Sequence, residues 1–417
     1  MNSLENDYQE ATRWLFEQFP AYHEKGAAAY NPGLKNCLEL AEHFGNPHQS
    51  LAFIHVGGTN GKGSTSNMLA SILKEAGETV GLFTSPHLFD FTERIRINGQ
   101  CIDQAFVVEF CKQVQQKVWN IAPSFFEITW IMALCYFREK KCSIVVAEVG
   151  MGGRLDATNI ITPVLSIITN IGLDHTQFLG DTRAAIAFEK AGILKAGVPV
   201  LIGEQDSETQ PVFSEQIEQK KAIAAPLIDP PVYPENLFGY QRKNFKLVYS
   251  AIEVLREQRT ISDQHIQDGI AHLYPNTGFM GRLQQLSSEP RIILDCAHNA
   301  HGIRACLASI LPVSGQLHII YGTSSDKNMQ EIAELFPEDA TYYFTTFTNP
   351  RSARLEQLQE NFGVIGKNRI FFENPTEALR AAQLAANKAD TILVFGSFFL
   401  VHDFFEDFFK FPLAEKK

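Results

Sequence analysis

Paired cysteines, a surplus of positive charge and long apolar runs are all missing from this 417-residue sequence. Its seven cysteines are odd in number and none falls in a CxxC pair, which excludes a disulfide framework and a cysteine zinc site and suits a reducing cytoplasm. Lys and Arg total 36 against 47 Asp and Glu, a formal charge of -11, so the field repels nucleic acid at long range. No apolar run reaches the ~18 residues of a membrane span. The opening MNSLENDYQEATRWLF has no basic stretch followed by an apolar one, so no secretory leader is expected. No internal repeat or low-complexity tract occurs, and the expected partners are small molecules bound by a monomer.

What is present describes a globular protein: 45% hydrophobic residues, 20% charged and 32 Phe, enough for more than one core in a chain of this length. Short apolar runs at 51–56, 79–84, 143–149, 164–171 and 198–203 read as buried strands with helices between them, hence a mainly parallel sheet. The proline-bearing stretch 225–234 reads as a surface loop. A second alternation starts at Arg291, with strands expected at 291–295, 317–321, 341–346, 369–372 and 391–395. The run 392–401 reads as buried strand despite Gly396 and Ser397. The class is therefore α/β, with a larger domain over 1–276 and a smaller Rossmann-like domain over 277–417, the boundary near Pro275 to Met280.

The strongest chemical signal is the run from Gly57 to Ser64, GGTNGKGS, between the first strand and a helix that Gly77 caps. Glycines turn backbone N–H groups toward an anion, the helix amino terminus adds positive potential, and a lysine reaches the terminal phosphates. Thr59, Asn60, Gly61, Lys62, Gly63 and Ser64 are thus candidates to cradle a nucleoside triphosphate in a P-loop ATPase-like domain. Gly63 stands where the common phosphate loop carries a hydroxyl, so the magnesium ligand is expected elsewhere.

GTNGKGS at 58–64, TSPHL at 84–88, EVGMGGRLDATN at 148–159, LDHT at 173–176, EKAGI at 189–193, GRL at 281–283, DCAHN at 295–299 and FGSFFLV at 395–401 are similar to the blocks of the folylpolyglutamate synthase and dihydrofolate synthase family, cousins of the Mur ligases, in family order. The resemblance implies an ATP- and magnesium-dependent ligase. It implies that Ser85 and Glu148 bind the magnesium bridging the ATP phosphates, and that His175 helps hold a second ion. Lys190 matches the family lysine that carbon dioxide carbamylates into a metal ligand, which requires a lowered pKa. Lys62, Glu148, His175 and Lys190 form the implied catalytic set. Asn244 in YQRKN matches a nucleotide contact, with Tyr240 where the family usually has His. Arg282, Asp295 and His298 match residues that reach the ATP from the smaller domain, which implies domain closure before chemistry.

Phosphorylating a carboxylate turns it into an acyl donor, so the implied reaction passes through an acyl phosphate that the glutamate amine attacks. Arg154, Leu155, Asp156 and Ala157 resemble the form found in bifunctional members, which also use dihydropteroate. Phe125 and Phe126 are expected to line the pterin pocket. Two alternatives are a Mur-type cell-wall ligase, for which ~50 residues before the phosphate loop leave too little for a UDP-recognition domain, and a nucleotide switch without ligase activity.

Overall fold

The computed structural model describes residues 3–19, 33–366 and 368–410, and the chain divides into two compact units. The larger comprises residues 1–237 and 242–279, the smaller 238–241 and 280–417. Among the described residues no helix is long and apolar enough to cross a membrane.

The larger unit is built on an eight-stranded sheet. Its strands are β1 (Phe53–Gly57), β2 (Val80–Phe83), β3 (Ile95–Ile97), β4 (Gln100–Cys101), β5 (Ile144–Glu148), β6 (Leu165–Ile168), β7 (Pro199–Ile202) and β8 (Ile223–Ala224). They lie in the order β4-β3-β2-β5-β1-β6-β7-β8, parallel except where β3 pairs with β2 and β4. Side chains alternate across a strand, and here both faces are covered. Phe53, Phe83, Val145 and Ala147 enter one cluster with Trp130 and Ile131 of helix Phe125–Glu139. Ile54, Val56, Leu82, Ile144 and Val146 enter the other with Met68, Leu69, Ile72 and Leu73 of helix Lys62–Glu75. Ser124 and Glu127 close a capping box at the start of helix Phe125–Glu139, worth about 1 kcal/mol.

Helix Lys62–Glu75 lies against helix Asp263–Ala271, and Gly269 is what permits the approach, since a Cβ there would stand 2.6 Å from the Ile72 Cα. Ser71 Oγ donates to the Gly269 carbonyl across this contact.

The smaller unit has six strands: β9 (Gln284–Ser288), β10 (Arg291–Asp295), β11 (Leu317–Tyr321), β12 (Thr341–Thr345), β13 (Asn368–Phe372) and β14 (Thr391–Phe395). Their order is β13-β12-β11-β14-β10-β9, with only β9 antiparallel. Its core is aromatic, with Tyr321, Phe336, Tyr342, Phe344, Phe362 and Phe395 in one cluster. The expected strand over 392–401 is corrected here. β14 stops at Phe395, Gly396 turns at φ 125, where a Cβ would strike the Gly322 carbonyl at 2.2 Å, and helix Phe398–Lys410 follows.

Candidate active site

The candidate residues of the larger unit gather at the carboxyl edge of four neighbouring parallel strands, β2, β5, β1 and β6, which is where open α/β sheets place their ligands. The chain leaves β1 through Gly58, at φ 141, and reaches Gly61, at φ 80, which caps helix Lys62–Glu75. Both glycines are required on two counts. Their φ values suit residues without a Cβ, and a Cβ would meet Thr169 Oγ1 at 1.9 Å from Gly58 or Asn244 Oδ1 at 2.5 Å from Gly61. Asn244, on helix Tyr240–Leu255, therefore abuts the loop at Gly61.

Lys62 Nζ donates to the carbonyls of Gly58 at 3.0 Å and Thr59 at 3.1 Å. Ser64 is fully buried at the first turn of the helix. Glu148 ends β5, is 5% exposed, and accepts from the Ser85 amide at 3.1 Å through Oε2. Its two carboxylate oxygens lie 3.7 and 3.8 Å from where a Cβ of Gly63 would stand. A side chain at position 63 would therefore stand in contact with the Glu148 carboxylate.

Lys190 ends helix Arg183–Lys190, is 4% exposed, and donates to the Gly58 carbonyl at 2.8 Å. Burial first, and the charge of Lys62 second, bring its pKa down to about 7 against the pull of Asp174 and Asp156. His175, at φ 51, pairs with Asp174, its Nε2 3.9 Å from Oδ2. The structure thus brings Ser85, Glu148 and Gly63 together, and Lys62 and Lys190 onto Gly58. It does not assemble Glu148 and His175 into a ready cage: among the described residues no group of three His, Cys, Asp or Glu is set to hold a metal. One carboxylate with a neighbouring hydroxyl nevertheless suits magnesium, which keeps waters and takes phosphate oxygens for its other positions.

Phe125 is buried, stacked on Phe16 at 4.8 Å with the Arg94 guanidinium 5.2 Å from its ring. Phe126 keeps partial exposure and lies so close to Gly150 that a Cβ there would be 2.6 Å from its Cζ. Asp156 is buried and its oxygens accept from the amides of Met151 at 2.8 Å and Thr158 at 3.0 Å and from the Thr158 hydroxyl. Arg154 pairs with Glu189 at 2.9 Å. The Leu155 carbonyl accepts from Gly33 at 3.4 Å and that of Ala157 from Cys37 Sγ at 3.4 Å.

In the smaller unit Asp295 ends β10 and is 1% exposed. It accepts from Tyr240 Oη at 2.5 Å, Ala297 N at 2.7 Å and Leu283 N at 2.8 Å, and burial raises its pKa although Arg282 opposes the rise. Asn299, not Asp295, caps the helix Ala300–Ile310. Arg282 and His298 both approach Phe398, the guanidinium 4.5 Å and the imidazole 5.8 Å from its ring. Phe398 and the Tyr240 contact were not among the expected site residues. Each depends on a pairing across more than fifty positions, and neither residue type signals such a role by itself.

Residues 56–225 match the Mur ligase middle domain, and residues 281–398 the Mur ligase glutamate ligase domain. The chain is 32% identical over 419 residues to the dihydrofolate synthase/folylpolyglutamate synthase of Buchnera aphidicola subsp. Schizaphis graminum, covering 94% of this chain and 96% of the relative. It is similar to the structure of Escherichia coli FolC in complex with DHPP and ADP, at TM-score 0.83 and 29% identity over 96% of this chain and 97% of the other. It is also similar to the bifunctional folylpolyglutamate synthase/dihydrofolate synthase of Yersinia pestis complexed with AMPPNP and Mn ion, at TM-score 0.80 and 29% identity over 95% and 97%.

Proposed function

This chain belongs to the Mur ligase family, among the dihydrofolate synthase/folylpolyglutamate synthases, and on that premise we propose that it adds L-glutamate to dihydropteroate and to the γ-carboxylate of reduced folates at the expense of ATP. The observation that carries this reading is the edge where Lys62, Glu148 and Lys190 converge on one glycine-rich loop. A nucleotide held by that loop faces a cation, a carboxylate and a lysine of lowered pKa, brought together from positions 62, 148 and 190. The carboxylate and the second lysine beyond the loop stand against a nucleotide switch.

The γ-phosphoryl group passes from ATP to the substrate carboxylate, ADP leaves, the glutamate amine attacks the acyl carbon, and phosphate departs as the amide forms. Lys62 exchanges its bonds to the Gly58 and Thr59 carbonyls for the phosphates and neutralises charge that builds there. Ser85 and Glu148 would hold a magnesium ion, His175 and Lys190 a second. When bound, the ions polarise phosphate oxygens. Lys190 in its amine form attacks carbon dioxide, loses a proton, and becomes an anionic carbamate. Phe126 offers a partly open aromatic face to a flat pterin, with Phe125 packed behind it. Asp156, whose carboxylate accepts from the Met151 and Thr158 amides, shapes with Arg154, Leu155 and Ala157 the loop that admits dihydropteroate. Asn244 is the proposed nucleotide-binding residue of the larger unit, and Arg282, Asp295 and His298 are those of the smaller. The seven free cysteines suit a reducing cytoplasm.

Amide formation from glutamate, ATP and either dihydropteroate or tetrahydrofolate tests the proposal. Glutamylated product from both acceptors is expected. ATP loss without product would instead identify a nucleotide switch, and reaction of tetrahydrofolate alone would remove the dihydropteroate activity.

A further inference from the structure

A loop that offers its backbone N–H groups to a ligand gives up the internal hydrogen bonds that would otherwise fix its shape, so something outside it must do so. Here the support comes from the chain leaving β6. The parallel ladder between β1 and β6 runs through Gly57 and Ile168 and continues past both strand ends, with Thr169 N donating to the Gly57 carbonyl and Thr59 N to the Asn170 carbonyl, each at 2.9 Å. At the next position a side chain takes over from the backbone. Asn170 Oδ1 accepts from Asn60 N at 2.9 Å, and Asn170 Nδ2 donates to the Asn60 carbonyl at 3.0 Å. A carboxamide has the donor and acceptor of a peptide group side by side, so it engages both backbone groups of one residue as a further strand would. The Thr169 hydroxyl also donates to Asn60 O at 2.5 Å, and Gly172 N donates to Thr59 Oγ1 at 3.0 Å.

We propose that Asn170 is the positioning residue of the phosphate loop: its clasp on Asn60 holds the turn open for nucleotide phosphates, so it sets nucleotide affinity and not affinity for the acceptor acid or the amine. The chemistry demands this side chain. Aspartate would turn an oxygen toward the Asn60 carbonyl with no proton between them, and leucine, of similar size, would satisfy neither group. The inference rests on the reading that this loop holds ATP.

The test uses the full chain with Asn170→Asp and Asn170→Leu, and with Asn170→Ser as a smaller change should either fail to fold. Direct binding of ADP and the KM of each of the three substrates are measured, with thermal melting as the control for folding. Nucleotide affinity and the KM for ATP are expected to weaken about tenfold or more, as loss of two hydrogen bonds implies, while the KM values for glutamate and dihydropteroate stay within about twofold of the parent. Nucleotide affinity unchanged in folded variants, Ser included, overturns the role of Asn170 alone. An equal rise in all three KM values overturns it too, by reducing the residue to a general structural one. A parent protein that binds no ADP overturns the nucleotide reading together with the clasp.

Discussion

Lys190 presses its ammonium against the Gly58 carbonyl with almost no access to water, and Lys62 donates to the same oxygen at 3.0 Å. Burial disfavours the charged form most, and the second cation on the same acceptor disfavours it further, hence a pKa of about 7 against an ordinary 10.5. The consequence for stability has a definite sign. Between about 7 and 10.5 the unfolded chain holds the extra proton, so the contribution of this group is full above 10.5 and is lost as pH falls toward 7. The chemical consequence is that Lys190 is about half amine at neutral pH. Carbamate formation from labelled bicarbonate, followed by carbon NMR, is expected to rise with a midpoint near 7; a midpoint near that of a free lysine would remove the basis for the modification. Lys190→Ala is expected to lose ligase activity that added bicarbonate does not restore, and turnover like that of the parent would exclude an essential role.

Helices and strands were legible to different depths. Nine of the ten apolar runs became strands that are almost wholly buried, so hydrophobicity alone marked them, while β13 is a largely exposed edge strand held by its pairing with β12. β4 is two exposed residues, Gln100 and Cys101, and β9 reads QQLSS; neither carries an apolar signal, and both exist only because a neighbouring strand offers an edge to pair with. Helix packing was less visible still. The contact between helices Lys62–Glu75 and Asp263–Ala271 turns on Gly269, a residue whose usual meaning inside a helix is a loss of stability. Gly269→Ala would gain helix propensity, yet its Cβ would sit 2.6 Å from the Ile72 Cα, backbone that cannot move cheaply. Overpacking of this kind costs roughly 1–3 kcal/mol, more than the propensity returns, so the variant is expected to melt several degrees lower. An equal or higher melting temperature would mean that the helices separate without cost.

Each of the two units owns its buried clusters, the larger on both faces of its sheet and the smaller around its aromatic group. Thermal unfolding of the whole chain is therefore expected to depart from a single two-state transition, with a calorimetric enthalpy exceeding the van't Hoff value. Gly269→Ala should shift the part of the melt that belongs to the larger unit. A single cooperative transition displaced as a whole would contradict this. At the scale of the molecule, the sequence by itself determined the α/β class, the position and chemistry of the phosphate loop, and the family, because these reside in spacings of a few residues that local backbone conformation converts directly into shape. Only the tertiary structure decided that the Glu148 carboxylate stands beside Gly63, that Lys190 bonds Gly58 from 132 positions away, and that Asn170 clasps Asn60. The reason is the strand order: with β1 lying between β5 and β6, and β2 beyond β5, the ends of four strands distant in sequence become neighbours spaced by the width of a parallel ladder, a fact that no local spacing carries.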